Sequence, residues 1–138
     1  MKTLHPAYRI RDLARSMDFY EKVGFREIGR VEIGAGMTLV MLNLPGDGEV
    51  VTLELVYDPE IEPLDLGNGF SHLAVQVDDL AATLSSLAGK GVVYDEPELP
   101  AGDGGPKTSF ILDPDGYRIE LVQWPPGHPD GITRADFG

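Results

Sequence analysis

The chain contains an internal repeat, and this repeat limits the possible folds more than any other feature of the sequence. The segment HPAYRIRDLA, which begins at His5, matches HLAVQVDDLA, which begins at His72. Further along, LELVY around Glu54 matches IELVQ around Glu120. Self-similarity of this kind predicts two copies of one structural unit. We therefore place module one at residues 1–60, a linker at 61–66, module two at 67–124 and an irregular tail at 125–138, all within a single domain (1–138).

Both copies show the same order of predicted elements. A short alternating strand comes first, followed by a helix whose first turn is capped by an aspartate, Asp12 or Asp79. Glycines end both helices, and apolar strands come after them. The last two strands are joined by the turn DPDG, in which Pro114 and Gly116 favour chain reversal. The pattern predicts an α+β fold of two β-α-β-β-β modules that form a concave, mostly antiparallel sheet.

Strand alternation places one histidine and one glutamate of each copy on the sheet face away from the helix. These residues are His5 and Glu54 in module one, and His72 and Glu120 in module two. A lone carboxylate in the middle of an apolar strand is costly to bury, and a bound cation would offset that cost. Mixed nitrogen and oxygen ligands suit Ni, Co, Zn, Mn or Fe(II). The four residues therefore predict a divalent metal site.

A simpler interpretation remains open at this point. A single histidine on a strand is more often a surface residue than a ligand, and a glutamate on an antiparallel strand commonly lies on the wet face of a half-buried sheet. The recurrence of the pair at matching positions favours the metal site. A repeat inherited from duplication could also preserve both residues without a function.

Composition excludes several classes of function. The net charge of −12 argues against nucleic acids and anionic membranes as partners, because both would repel the chain. The absence of cysteine excludes disulfides, a thiolate nucleophile and cysteine-ligated metals. The N-terminus has no apolar signal core and no apolar run approaches transmembrane length, so we expect a cytoplasmic protein.

At these motifs the sequence resembles the vicinal oxygen chelate superfamily and, within it, the short bacterial glyoxalase I (lactoylglutathione lyase) family. The resemblance extends to about Trp124. It is carried by LHPAYRIRDLARSMDFYEKVGF, TLELVY, LGNGFSHLAVQVDDL and FILDPDGYRIEL, with His5, Glu54, His72 and Glu120 all in place. DPDGY-x-IEL alone is typical of the superfamily only, whereas the full set is more specific to glyoxalase I.

The resemblance implies a metal-dependent lyase. The four residues would be its metal ligands, with Ni(II) or Co(II) the usual activator of short bacterial forms and Zn(II) that of others. The family is homodimeric, so His5 and Glu54 of one chain would meet His72 and Glu120 of the other at the subunit interface. The reaction would convert a methylglyoxal–thiol hemithioacetal into an S-lactoyl thioester. Glu120 would be the catalytic base, and Glu54 its near-equivalent.

Three further residues are candidates for substrate binding. Arg9 lies on the site face of the first strand and matches a family arginine that pairs with a glutathione carboxylate, although a solvated strand arginine is an equal alternative. Asp58 stands where the family usually has an asparagine, so the thiol is glutathione or another small thiol such as mycothiol. Lys107 follows the glycine-rich loop PAGDGG, which is either a mobile loop over the site or a flexible connector.

Other functions remain possible on the same scaffold. These are another enzyme of the superfamily, such as a dioxygenase, a thiol transferase or an epimerase, and a metal-free small-molecule-binding protein. The epimerases commonly have a glutamine near the place of Glu54, so this residue favours the lyase. The metal-free binding proteins lack the four-residue set.

Overall fold

The computed structural model describes residues 1–128 and 131–138, and its two units follow the sequence repeat. Unit one comprises Met1–Phe70 with Asp113–Gly116, and unit two comprises Ser71–Leu112 with Tyr117–Gly138. Unit one therefore extends through the predicted linker. That residues 1–138 act as a single domain stays a prediction.

Unit one confirms the predicted order of elements. It contains β1 (Ala7–Ile10), α1 (Leu13–Val23), β2 (Arg26–Ile33), β3 (Met37–Asn43) and β4 (Leu53–Tyr57). The strands form one sheet in the order β1-β4-β3-β2. β1 runs parallel to β4, and the other neighbours are antiparallel. The chain therefore returns through β2 and β3 before its last strand lies beside its first.

Unit two has the same plan with one strand fewer. It contains β5 (Leu73–Gln76), α2 (Leu80–Gly89), β6 (Lys107–Leu112) and β7 (Arg118–Gln123), and its sheet order is β5-β7-β6. The predicted strand after α2 is wrong, because only isolated bridges form there, Tyr94 with Ile111 and Glu98 with Thr108. Proline has no amide hydrogen to donate, and Pro97 and Pro100 interrupt this stretch. In the predicted tail, a short 3-10 turn spans Arg134–Phe137, and residues 129 and 130 lie outside the described part.

Both helices begin and end as the sequence predicts. The Asp12 carboxylate accepts a hydrogen bond from the Arg15 amide at 2.8 Å, and the Asp79 carboxylate accepts one from the Ala82 amide at 3.0 Å. Each satisfies an amide that has no partner within its helix. α1 ends at Gly24, whose φ of 117° is available to glycine at little cost. None of the helices in residues 1–128 and 131–138 is long and apolar enough to cross a membrane.

The alternation of β1 agrees with the prediction where the strand is formed. Tyr8 and Ile10 are buried, whereas Ala7 and Arg9 are exposed. Alternation along the predicted first strand also places Leu4 on the buried face of Tyr8 and Ile10, and this prediction is wrong, because Leu4 precedes β1 and is 75% exposed. The apolar side chains that are most deeply buried are Tyr20, Val40, Leu42, Leu53 and Leu55 in unit one, and Leu80, Leu84, Leu87, Ile111, Ile119 and Leu121 in unit two.

A buried hydroxyl network within unit one joins α1 to the turn Asp113–Gly116. The Tyr20 hydroxyl donates to Asp113 Oδ2 at 2.8 Å and also contacts the Tyr8 hydroxyl. Asp113 accepts a second hydrogen bond, from the Asp115 amide at 2.9 Å. Burial, together with the neighbouring Tyr8 and Asp113, raises the pKa of Tyr20 far above its usual value. Tyr20 therefore stays neutral and can donate to the buried carboxylate.

Substituting Tyr20→Phe removes this donor while it preserves the ring. Asp113 is only 5% exposed, so the lost partner leaves its carboxylate poorly satisfied. We expect the free energy of unfolding to fall by roughly 1–3 kcal/mol, measured by urea denaturation. Tyr94→Phe is the matched control, because Tyr94 is 38% exposed and its change should stay within about 0.5 kcal/mol. Equal stability of Tyr20→Phe and the wild type would contradict a stabilising role for the hydroxyl.

Candidate metal and catalytic site

In unit one, the pairing of β1 with β4 brings His5 to Glu54. Ala7 lies opposite Glu54 in the register, and the Glu54 amide donates to the Pro6 carbonyl at 3.1 Å. Glu54 stands between the fully buried Leu53 and Leu55, so its side chain projects from the other face of β4. There, Glu54 Oε1 lies 3.0 Å from His5 Nε2.

In unit two, the pairing of β5 with β7 brings His72 to Glu120. Ala74 lies opposite Glu120 in the register, and His72 Nε2 lies 3.6 Å from Glu120 Oε1. The Ser71 hydroxyl lies 2.8 Å from His72 Nδ1. Because this contact occupies Nδ1, it leaves Nε2 as the nitrogen that faces Glu120.

The two pairs arise from one geometric arrangement that occurs twice. In both units an alanine of the first strand is paired with the glutamate on the parallel neighbouring strand. The histidine lies two residues before that alanine. The sequence repeat is thus also a repeat in strand register. The prediction that each copy brings together one histidine and one glutamate agrees with this geometry, whereas their role as metal ligands stays a prediction.

The donor atoms of each pair fit a divalent cation. Two ligand atoms about 2.1 Å from one ion are separated by roughly 3.0 Å at a right angle and 3.4 Å at the tetrahedral angle. The observed separations are 3.0 Å between His5 and Glu54 and 3.6 Å between His72 and Glu120. All four side chains are part-exposed, at 17–32%, and can therefore be reached from solvent. In residues 1–128 and 131–138, no group of three or more His, Cys, Asp or Glu is arranged to hold a metal, so each pair supplies two donors.

The three predicted substrate-binding residues lie at different places: Arg9 in β1, Asp58 after β4 and Lys107 in β6. Arg9 is opposite Val56 in the register and shares the sheet face of Glu54. The Asp58 carboxylate accepts from the Glu60 amide at 3.0 Å and so closes a turn after β4. Lys107 is paired with Gln123 across β6 and β7, and its side chain lies on the sheet face that does not carry Glu120. Contact of these residues with substrate stays a prediction.

Three neighbours of the second pair carry no predicted role: Ser71, Phe110 and Arg118. Phe110 is directly opposite Glu120 across the β6–β7 hairpin, and its ring meets that of His72 edge to face, with 5.4 Å between centroids. The Arg118 guanidinium carbon lies 3.9 Å from the centre of the Phe110 ring. The signals available in the sequence were the alternation of β7, which sets Arg118 on the face of Glu120, and the DPDG hairpin, which sets Phe110 opposite Glu120.

Comparisons with known proteins identify relatives of this chain. The sequence profile of the Glyoxalase/Bleomycin resistance protein/Dioxygenase superfamily matches residues 2–121. The lactoylglutathione lyase of Neisseria meningitidis is 33% identical over 125 residues, which are 89% of this chain and 91% of that protein. The probable lactoylglutathione lyase of Synechocystis sp. is 35% identical over 125 residues, which are 89% and 95% of the two chains.

A solved structure extends the likeness to three dimensions. The trypanothione-dependent glyoxalase I of Leishmania major has a TM-score of 0.72 and 29% identity to this chain, and the match covers 89% of this chain and 86% of that one. The mixed sheets with two helices confirm the predicted fold class. The chain therefore belongs to the Glyoxalase/Bleomycin resistance protein/Dioxygenase superfamily and is a lyase of its lactoylglutathione lyase (glyoxalase I) family.

Proposed function

We propose that the protein isomerises the hemithioacetal of a 2-oxoaldehyde, such as methylglyoxal, and a small thiol to an S-lactoyl thioester. The observation that carries this proposal is the His–Glu pair that recurs at the same strand register in both units. Membership of the lactoylglutathione lyase family supports the reaction class. The two glutamates distinguish this set from superfamily sites that use two histidines and one carboxylate.

The four residues His5, Glu54, His72 and Glu120 would hold a divalent metal ion. Nitrogen and oxygen donors without thiolate suit Ni(II), Co(II) or Zn(II). When bound, such an ion supplies a Lewis acid that stabilises the negative charge developing on the two neighbouring oxygens of the substrate. The family resemblance favours Ni(II) or Co(II) as the native cofactor.

Glu120 would move the proton between the two carbons of the substrate. C1 is the carbon that carries the sulfur and the hydroxyl group, and C2 is the neighbouring ketone carbon. The Glu120 carboxylate takes the proton from C1 and returns it to C2, while the hydroxyl proton on the C1 oxygen passes to the C2 oxygen. The C1 oxygen becomes the thioester carbonyl, so no oxidant or reductant is needed. Glu120 is the more widely separated carboxylate of the two pairs, at 3.6 Å from His72 against 3.0 Å between Glu54 and His5, and it suits this role, with Glu54 as its near-equivalent.

We infer that the site belongs to a homodimer. Each pair provides only two of the four donors, and the family resemblance implies that His5 and Glu54 of one chain combine with His72 and Glu120 of another. The thiol is glutathione or another small thiol. The Asp58 carboxylate is engaged by the Glu60 amide and carries a negative charge that a substrate carboxylate would avoid.

Removing either proposed histidine ligand should weaken metal binding. We expect His5→Ala and His72→Ala each to raise the Kd for Ni(II) or Co(II) by more than about tenfold, measured by calorimetry and by elemental analysis after dialysis. His128→Ala is the control for the third histidine of the chain, whose Nε2 lies 2.8 Å from Asp136 Oδ1 and whose ring stacks on Trp124. Unchanged affinity in His5→Ala and His72→Ala would exclude these residues as ligands.

Neutralising the proposed base should stop proton transfer without releasing the metal. We expect Glu120→Gln to lower kcat by about 10²- to 10⁴-fold while the ion stays bound, because the glutamine carbonyl can still coordinate. Initial rates of thioester formation from methylglyoxal and glutathione would measure this effect. Glu96→Gln, at an exposed position, should leave kcat unchanged. A Glu120→Gln enzyme with wild-type kcat and bound metal would rule out Glu120 as the base.

Heterodimers test which chain supplies each pair. One variant carries His5→Ala with Glu54→Ala, the other carries His72→Ala with Glu120→Ala, and the two are co-expressed with different tags. If sites combine pairs from two chains, the purified heterodimer has one intact site of two and regains about half of the wild-type activity. If both pairs of a site come from one chain, the heterodimer stays inactive.

A further inference from the structure

Arg118 lies beside the second His–Glu pair without a role in the proposed reaction. It stands two residues before Glu120 in β7, on the same sheet face, and its side chain is exposed. The guanidinium carbon lies 3.9 Å from the centre of the Phe110 ring. This distance is that of a cation–π contact, which holds the planar guanidinium against the ring.

Phe110 connects Arg118 to the proposed site. It is paired with Glu120 across β6 and β7. Its ring meets the His72 ring at 88°, with 5.4 Å between centroids. The Phe110 ring therefore contacts both the Arg118 guanidinium and the His72 ring, on the sheet face that carries Glu120.

Arg118 differs from Arg11 and Arg30 in this acidic chain. The sequence has 23 Asp and Glu but only 11 Lys and Arg, so carboxylate partners are plentiful. Arg11 pairs with Asp115, and Arg30 pairs with Glu27. In the part of the chain that the structure describes, Phe110 is the contact found for the Arg118 guanidinium, and no carboxylate pairs with it.

Stacking on an aromatic face leaves the N–H groups at the edge of a guanidinium available. Those groups form a fork that matches a carboxylate with two parallel hydrogen bonds. The aldehyde half of a methylglyoxal hemithioacetal has no carboxylate. A carboxylate that reaches Arg118 during the reaction must therefore belong to the thiol half.

We propose that Arg118, held on the Phe110 ring beside His72 and Glu120, is a specificity-determining residue that binds a carboxylate of the thiol half of the substrate. This proposal rests on the proposed isomerase function and narrows its substrate class. It selects thiols that carry a carboxylate over neutral, sugar-linked thiols.

The test compares two substrates that share the reacting group but carry either free or esterified carboxylates. The metal-loaded enzyme is assayed with the methylglyoxal hemithioacetals of glutathione and of glutathione diethyl ester. Arg118→Met removes the charge and the fork, Arg118→Lys keeps only the charge, and Arg15→Met is the charge-matched control on the exposed side of α1. Binding of S-methylglutathione and its diethyl ester to each holoenzyme is measured by calorimetry.

We expect Arg118→Met to raise KM for the glutathione substrate by about 10- to 100-fold with kcat within about threefold. Arg118→Lys should fall between this variant and the wild type, and Arg15→Met should match the wild type. The diethyl ester should bind equally to all four proteins. S-methylglutathione affinity should follow the same order as KM.

Two results would overturn the Arg118 proposal. One is an equal response of Arg118→Met to the acid and the ester, and the other is a wild-type preference for the ester. Failure of the proposed isomerase function gives a distinct result, because the wild-type enzyme would then convert neither hemithioacetal with any metal. In that case calorimetry still decides, since S-methylglutathione binding either weakens in Arg118→Met or does not.

Discussion

The parallel pairing of the first strand with the last strand of each unit is the constraint on which the rest of the structure depends. Without β1 beside β4, His5 would not meet Glu54, which lies 49 residues away in the chain. The same pairing of β5 with β7 joins His72 to Glu120. A parallel neighbour requires a long crossover, and in unit one α1, β2 and β3 supply it. The helix and the intervening strands are thus what allows a histidine and a glutamate from distant segments to share one position on a sheet.

Local signals in the sequence were sufficient for most of this architecture. Helix caps, the hairpin turn and strand alternation depend on residues close in the chain, and the caps at Asp12 and Asp79 formed as expected. The missing strand of unit two shows where the elements of one repeat do not predict those of the other. The match of modules predicted a strand after α2, but Pro97 and Pro100 cannot donate to a ladder, so only bridges remain. The local chemistry of these prolines overrides the analogy between the copies.

The candidate site was predictable to the level of sheet faces but not of side-chain contacts. Alternation alone places Arg118 and Glu120 on one face, yet the stacking of Arg118 on Phe110 depends on rotamers, which a pattern of residue types does not specify. Asp58 illustrates the opposite case. Its contact with substrate stays a prediction, and the structure shows that its carboxylate accepts the Glu60 amide two residues later, a local hydrogen bond typical of aspartate in turns.

The two pairs share a scaffold but differ in their neighbours, and this difference gives a physical reason for unequal roles. Opposite Glu54 stands Met41, and opposite Glu120 stands Phe110. Two residues before Glu54 is Thr52, whose hydroxyl donates to Asp47 at 2.8 Å, whereas Arg118 occupies the matching place before Glu120. Unit one therefore places the neutral Met41 and Thr52 next to its glutamate, and the cation on that sheet face, Arg9, lies on the neighbouring strand opposite Val56. Unit two places an aromatic ring and a cation beside the glutamate that lies farther from its histidine, which suits substrate recognition and proton transfer on that side.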